Sequence, residues 1–288
     1  MMTATSMKIH STIDEMRAAS RAARLGGLRV GLVPTMGALH EGHLSLVRAA
    51  KAQCEAVVVS IFVNPLQFGP NEDLAKYPRT FERDCELLSK EEVEFVFAPS
   101  PAEMYPNQSV TWVEVEGLSQ RLCGRSRPGH FRGVTTVVSK LFHIVEPDLA
   151  FFGQKDAAQA AIIRRMVRDL NFQVEVIVCP IVREPDGLAM SSRNVYLNAE
   201  ERKSALALYR ALQQIRSSFE AGKRDSARLN AVGQQVLAHE PGVRLDYLEI
   251  VNPETLEALP EISSAALVAV AGFVGTTRLI DNILLTTD

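Results

Sequence analysis

Val33-Pro34-Thr35-Met36-Gly37-Ala38-Leu39-His40-Glu41-Gly42-His43-Leu44-Ser45-Leu46 reads as a buried strand handing over to a helix, and that handover decides the fold. Upstream, Leu28 to Val33 is short and mostly apolar; downstream, Leu44, Val47 and Ala50 recur at helical spacing. A helix that opens here offers an anion its free backbone N–H groups and the positive end of its dipole. Gly37 and Gly42 let backbone approach that anion closely. His40 and His43, three apart on one helix face, aim two imidazoles at the same point. The pair also reads as a capped helix with two surface histidines, or as two zinc ligands. The glycines, the proline-bounded strand and the helix-opening position favour phosphate.

Outward from this turn, Lys8 to Pro180 alternates helix-period and strand-like segments. Val57–Phe62, Glu94–Ala98, Thr111–Val115, Leu149–Phe152 and Val174–Val178 read as short apolar strands. Glu82–Glu91 reads as a helix, and Val134, Val137, Val138, Leu141, Phe142 and Val145 give another a continuous apolar face. The alternation predicts an α/β fold, a Rossmann-like doubly wound parallel sheet with ligands at the carboxyl ends of its strands. The His40/His43, Asn64–Phe68 and Gly153–Asp156 turns should therefore meet at one edge. After Arg183-Glu184-Pro185-Asp186-Gly187 come helices at Ala199–Ala221 and Ser226–His239, then strand-like runs at Leu245–Val251, Ala265–Ala271 and Thr277–Leu285. The expected division is a nucleotide- and substrate-binding domain, residues 1–182, and a smaller C-terminal α+β domain, residues 183–288. The Pro185–Gly187 loop reads as the hinge on which the second closes over its ligand.

The 288 residues, 47% apolar, suffice for two cores, and a formal charge of −3 (31 basic against 34 acidic residues) leaves no general basic footprint for nucleic acid. Cys54, Cys85, Cys123 and Cys179 are scattered, with no pairing that suggests zinc or a redox dithiol. Met1–Met16 has no apolar signal core, and Ala265–Val274 is far too short to span a membrane, so a cytoplasmic protein without membrane partners is expected.

No Gly-x-x-x-x-Gly-Lys-Ser/Thr loop and no Gly-x-Gly-x-x-Gly turn occurs. Instead Gly187-Leu188-Ala189-Met190-Ser191-Ser192-Arg193-Asn194 brings two hydroxyls and a guanidinium, suited to phosphate or to a plain helix cap. Phe152-Gly153-Gln154-Lys155-Asp156-Ala157-Ala158-Gln159 is a glycine turn after a strand, with a lysine able to neutralise phosphate. Phe62-Val63-Asn64-Pro65-Leu66-Gln67-Phe68-Gly69 sets neutral amides beside apolar walls, a mix that suits a small hydroxylated ligand with an apolar body.

Together these strings resemble a family. His40-Glu41-Gly42-His43 with Met190-Ser191-Ser192-Arg193 resembles the paired signatures of the nucleotidylyltransferase superfamily. Pro34–Ser45, Phe62–Phe68, Tyr77-Pro78-Arg79-Thr80, Ser126–Val134, Phe152–Gln159, Asp186–Leu197 and Arg278-Leu279-Ile280-Asp281-Asn282 narrow it to the pantothenate synthetase (pantoate–β-alanine ligase) family. The resemblance implies that pantoate attacks the α-phosphate of ATP, giving pantoyl adenylate and pyrophosphate, and that β-alanine then displaces AMP. It implies ATP contacts from Pro34, Thr35, Met36, Gly37, Ala38, Leu39, His40, Glu41, Gly42 and His43. Gly153, Gln154, Lys155, Asp156, Val182, Met190, Ser191, Ser192 and Arg193 complete that site. His40, His43, Lys155 and Arg193 would carry the chemistry, with His40 the proton donor. It further implies pantoate contacts from Gln67, Gln159, Val134, Val137 and Val138, β-alanine contacts from Asn64, Gln67, Tyr77 and Arg193, and a homodimer. Magnesium would arrive with ATP, held mainly by phosphates and water. Where the family often carries two adjacent acids after Tyr-Pro-Arg-Thr, this chain has Arg83-Asp84, leaving Asp84 as a single outer-shell candidate. Gln154 stands where glutamate is common. Two other readings are an enzyme of the same superfamily that adenylylates a phosphate ester, which would ask for more cations than Gln67 and Gln159 supply, and a non-catalytic nucleotide-binding module.

Overall fold

The computed structural model describes residues 7–70, 72–106 and 109–287, so the first six residues of the Met1–Met16 stretch lie outside the described part. β1 (Lys8–His10), β2 (Val30–Thr35), β3 (Ala56–Ile61), β4 (Phe95–Phe97), β5 (Leu149–Gly153) and β6 (Glu175–Cys179) form one sheet. Its order is β1-β4-β3-β2-β5-β6 and every pairing is parallel. The chain builds outward from β2 in one direction through β3 and β4, then returns to lay β5 and β6 on the other side. The order therefore reverses between β2 and β5, whose carboxyl ends lead into the histidine turn and the Lys155 turn, and loops diverging from such a point leave a crevice for ligand.

Alternating side chains send the two faces of the strands to separate cores. Val30, Leu32, Ala56 and Val58 pack under α1 (Ile13–Leu25), α6 (His130–Val145) and α7 (Ala157–Asp169). Val33, Val57, Val59 and Phe151 pack under α2 (Glu41–Lys51) and α3 (Phe81–Lys90). Single turns α4 (Pro101–Met104) and α5 (Cys123–Ser126) lie between α3 and α6 in the chain. The expected strand at Thr111–Val115 does not form. Val113 gives its N–H to Thr136 Oγ1 (3.1 Å) and its carbonyl accepts from Thr135 Oγ1 (2.5 Å), so helix side chains take the groups a ladder would need.

Beyond β6 the chain makes α8 (Ala199–Glu220), α9 (Ser226–Ala238) and an antiparallel sheet of β7 (Val243–Val251), β8 (Ala265–Val274) and β9 (Thr277–Thr286). This is the smaller α+β part. One face of its sheet, with Leu248, Val268, Val270 and Ile283, packs on α8 and α9. The other, with Tyr247, Leu267, Ala269 and Ala271, joins the core of the larger part. Among the described residues no helix is long and apolar enough to cross a membrane.

Candidate active site

The turn after β2 passes through two consecutive left-handed residues, Gly37 (φ +79°) and Ala38 (φ +50°). The second is costly for a residue with a Cβ. What holds it is Asp84 on α3, only 1% exposed, whose carboxylate accepts from Ala38 N (2.9 Å), Leu39 N (2.8 Å) and Thr80 Oγ1 (3.1 Å). Both oxygens of Asp84 thus hold the turn from behind, a supporting role that the sequence reading of Asp84 as an outer-shell magnesium candidate did not include. Glycine is required at 37: a Cβ there would stand 3.0 Å from Asp84 Oδ2 and 3.1 Å from Ile61 Cγ2.

His40 becomes the N-cap of α2, and the two histidines cap the helix reciprocally. His40 Nδ1 accepts from Gly42 N (3.1 Å), and His43 Nδ1 accepts from His40 N (3.3 Å). Acceptance at Nδ1 leaves the proton of each neutral ring on Nε2, so both present an N–H donor outward. Their centroids lie 4.1 Å apart. Burial, reinforced by the nearby Lys155 charge, lowers His40 to about 4. Burial, then the neighbouring His40 and Lys155, lowers His43 to about 3. At neutral pH the pair is two uncharged donors, and Lys155 supplies the cation.

Lys155 sits in a three-residue turn (Gln154–Asp156) between β5 and α7. The Met190–Arg193 string arrives from the smaller part: Ser192 Oγ donates to Ala38 O (3.2 Å), which brings it onto the histidine turn. Arg193 is already engaged, its Nε and Nη2 donating to both oxygens of Asp73 at 3.0 and 2.9 Å. Met190 N donates to the carbonyl of Val182 (3.0 Å), tying the two sides of the Val182–Met190 turn. The loop between them, expected from its Pro and Gly to be a hinge, is cross-linked in this structure. Glu184 N donates to Leu188 O (2.8 Å), Arg202 pairs with both Glu184 and Asp186, and Arg183 donates to Gly187 O and clamps Asp281. A Cβ at Gly187 would meet the Tyr209 ring at 2.6 Å, so the turn is braced from both sides.

Gln67 ends a short turn (Pro65–Gln67) laid directly on α6 at Gly133, where a Cβ would come within 2.2 Å of Leu66 O. Its Nε2 contacts Met36 Sδ (3.0 Å) and its Oε1 accepts from Asn64 Nδ2 (3.1 Å). Asn64 is 1% exposed and fully used: Nδ2 also donates to Gly133 O, while Oδ1 accepts from Leu66 N and Tyr105 Oη. An amide with two donors and two acceptors satisfied has none left for a substrate, so Asn64 serves as the support of Gln67. His130 and Arg127, themselves given no role in the sequence reading, grip the same turn. His130 Nδ1 donates to Gln67 O (2.8 Å) and Nε2 accepts from Arg127 (3.0 Å), while Arg127 pairs with both oxygens of Glu72. Burial, then Arg127, lowers His130 to about 4, in keeping with a neutral ring. Val134, Val137 and Val138 are buried on α6 in the core shared with Phe62.

A cavity of about 1140 Å³ runs between the two parts, lined by Lys155, Asp156, Gln159, Ser191, Arg193 and Asn194 among others. Tyr77, buried beside it, has the Arg193 guanidinium 5.9 Å above its ring. Among the described residues no three or more His, Cys, Asp or Glu side chains gather to hold a metal, so the two histidines have no such partners for the zinc reading. Asp73, Asp84's support of the turn, and the reach of Asn282 from β9 to Gln154 (2.9 Å) escaped the sequence reading, because each acts across the fold on backbone or on another side chain.

A family model described as pantoate-beta-alanine ligase matches residues 8–284. A pantothenate synthetase of Acidobacterium capsulatum is 62% identical over 97% of this chain and 97% of its own length. That of Thermotoga neapolitana is 59% identical over 97% of this chain and its full length. Among solved structures, the Thermus thermophilus pantothenate synthetase superposes with a TM-score of 0.91 at 50% identity, covering 96% of this chain and 99% of that one. A Francisella tularensis pantoate-beta-alanine ligase, complexed with beta-gamma ATP and beta-alanine, superposes at 0.80 with 34% identity, covering 97% and 98%.

Proposed function

The chain belongs to the pantoate-beta-alanine ligase family, and from that premise we propose how its residues divide the reaction. It is an ATP-using ligase that joins pantoate to β-alanine in the synthesis of pantothenate. In the first step a pantoate carboxylate oxygen attacks the α-phosphorus and pyrophosphate leaves. In the second the β-alanine nitrogen attacks the acyl carbon, loses a proton and expels AMP. Such chemistry asks the protein mainly to position reactants and to stabilise charge that develops on phosphate.

The Pro34–His43 turn, Gly153–Asp156, Val182 and Met190–Arg193 hold ATP. His40 and His43 act as uncharged Nε2–H donors to phosphate oxygens, with Lys155 the fixed cation. His40 thereby gives a hydrogen bond from a ring that burial keeps neutral before the nucleotide arrives. Arg193 becomes available when Asp73 releases it. Gln67 and Gln159 bind the hydroxyl and carboxylate of pantoate, with Val134, Val137 and Val138 walling its apolar body. β-Alanine lies by Gln67, Tyr77 and Arg193, with Asn64 behind them. Magnesium enters with ATP on phosphate and water oxygens. The division of the chain falls after Val182, the enzyme works as a cytoplasmic homodimer, and no nucleic acid or membrane takes part.

The observation that carries this reading is the convergence of the histidine turn with the Ser191–Arg193 string, through Ser192 and Ala38, and with Lys155, the string and the lysine both lining the cavity. AMP release from ATP tests it. Turnover should require both pantoate and β-alanine. Pyrophosphate release without AMP, with a phosphorylated acceptor in place of pantoate, would overturn it in favour of an adenylylating relative.

A further inference from the structure

Arg278-Leu279-Ile280-Asp281-Asn282 takes no part in the chemistry above, yet its last residue ends against the lysine that does. Side chains alternate along β9. Asp281 faces Arg183, whose guanidinium lies 3.9 Å over the Tyr209 ring of α8. Ile280 and Asn282 face the larger part, Ile280 packing on its core. Asn282 is 3% exposed. Its Nδ2 donates to Gln154 O (2.9 Å) and Lys155 O (3.0 Å), and its Oδ1 accepts from Gln154 Nε2 (2.9 Å). One amide thus spends both donors and one acceptor on a single turn more than 120 residues away in sequence.

The two carbonyls belong to the peptide units on either side of the Lys155 Cα. Fixing both planes fixes the direction in which the Cα–Cβ bond leaves the backbone, because only φ and ψ separate them. Both bonds are part-buried and would have to break if the turn rotated on its own, which couples its orientation to β9. Gln154 locks the other end of the amide and keeps its two donors pointed at the carbonyls.

We propose that Asn282 is a positioning residue that aims the Lys155 ammonium at the nucleotide phosphates from the smaller part of the protein. The inference rests on the assignment of Lys155 to phosphate. It also makes the lysine's aim depend on where the three-stranded sheet sits, so that the two parts must be docked for the cation to be in place.

A double-mutant cycle tests it. Asn282→Ala, Lys155→Ala and the double variant are titrated calorimetrically with α,β-methylene ATP, with thermal melts to verify folding. Asn282→Ala alone should weaken binding roughly 10-fold, the scale of one hydrogen bond to a charged group, and should lower kcat more than it raises KM for pantoate. In the Lys155→Ala background the same substitution should change affinity less than about 2-fold, since there is no longer an ammonium to aim. Losses that multiply in the double variant would overturn the proposal. Should the alanine variant fail to fold, Asn282→Ser leaves a smaller void and runs the same cycle with the same expected result. Absence of pantoate- and β-alanine-dependent AMP release in the unmodified enzyme would overturn the ligase reading while leaving the nucleotide cycle interpretable. Multiplicative losses in an enzyme with that activity would overturn the role of Asn282 alone.

Discussion

Replacing Asp84 by alanine should cost several kcal/mol of stability and most of the activity, although its carboxylate need not touch any ligand. The loss can be worked from its contacts. Ala38 N and Leu39 N, half-buried and buried, each lose their acceptor, and Thr80 Oγ1 loses a third bond. A buried donor left unpaired costs roughly 1–3 kcal/mol, so the two N–H groups account for roughly 2–6 kcal/mol. Ala38, held at φ +50°, carries a left-handed conformation costing roughly 1–2 kcal/mol, and without the carboxylate the turn can relax it, offsetting part of that loss but moving the histidines. At roughly 2–4 °C per kcal/mol for a chain of this size, a fall of about 10 °C in Tm is expected. The turn carries His40 and His43, and a displacement of about 1 Å costs about 100-fold in rate. Asp84→Asn keeps one acceptor, turns an amide against the other N–H and should fall between the two. Thermal melts and AMP release over a range of magnesium concentrations read both effects. If Asp84→Ala melts like the unmodified protein and excess magnesium restores its rate, the carboxylate serves the ion after all and the turn stands without it.

The histidine pair makes a prediction about acid. Both folded values lie below the ordinary 6.5, at about 4 and about 3, so the stability they contribute is whole above pH 6.5 and is lost as pH falls toward those values. At about 1.4 kcal/mol per pKa unit, His43→Gln should remove roughly 3 kcal/mol of the stability lost between pH 6 and 4 and so flatten the fall of Tm over that range; identical acid slopes would refute the neutral pair. Calorimetry with pantoate should separate Gln159→Ala, weakened by roughly 1–2 kcal/mol with Tm unchanged, from Asn64→Ala, which lowers affinity and Tm together because four hydrogen bonds converge on it. ATP binding should weaken in Arg193→Ala but not in Asp73→Ala, which frees the guanidinium; equal losses would mean the pair acts only as a strut. In hydrogen exchange, the amides of Glu184, Gly187 and Met190 should be protected before any ligand is added, since each already donates within the Val182–Met190 turn. Exchange as fast as in an open loop would restore the hinge.

Much of the fold was legible in the order of residues because the signals are local. A strand's period, a helix's period and a cap all act within four or five positions, so β2, the turn and α2, and with them the place of His40 and His43, follow from Val33–Leu46 alone. The alternation of such units leads to the parallel sheet, and the reversal of strand order brings the Lys155 turn beside the histidines. Other features belong to the tertiary structure. Thr111–Val115 has the composition of a strand, yet Thr135 and Thr136 on α6 take its backbone groups. Pro185-Asp186-Gly187 has the composition of a hinge, yet Arg183, Arg202 and Tyr209 brace it. Asp84 and Asn282 lie 46 and 128 positions from the backbone atoms they hold, and Asp73 lies 120 from Arg193. The neutrality of His40 and His43 is likewise a product of burial and of Lys155 nearby. Which groups contact one another, and which charge states survive there, depends on distances between chain-remote atoms and on exclusion of water, and these exist only once the cores have packed.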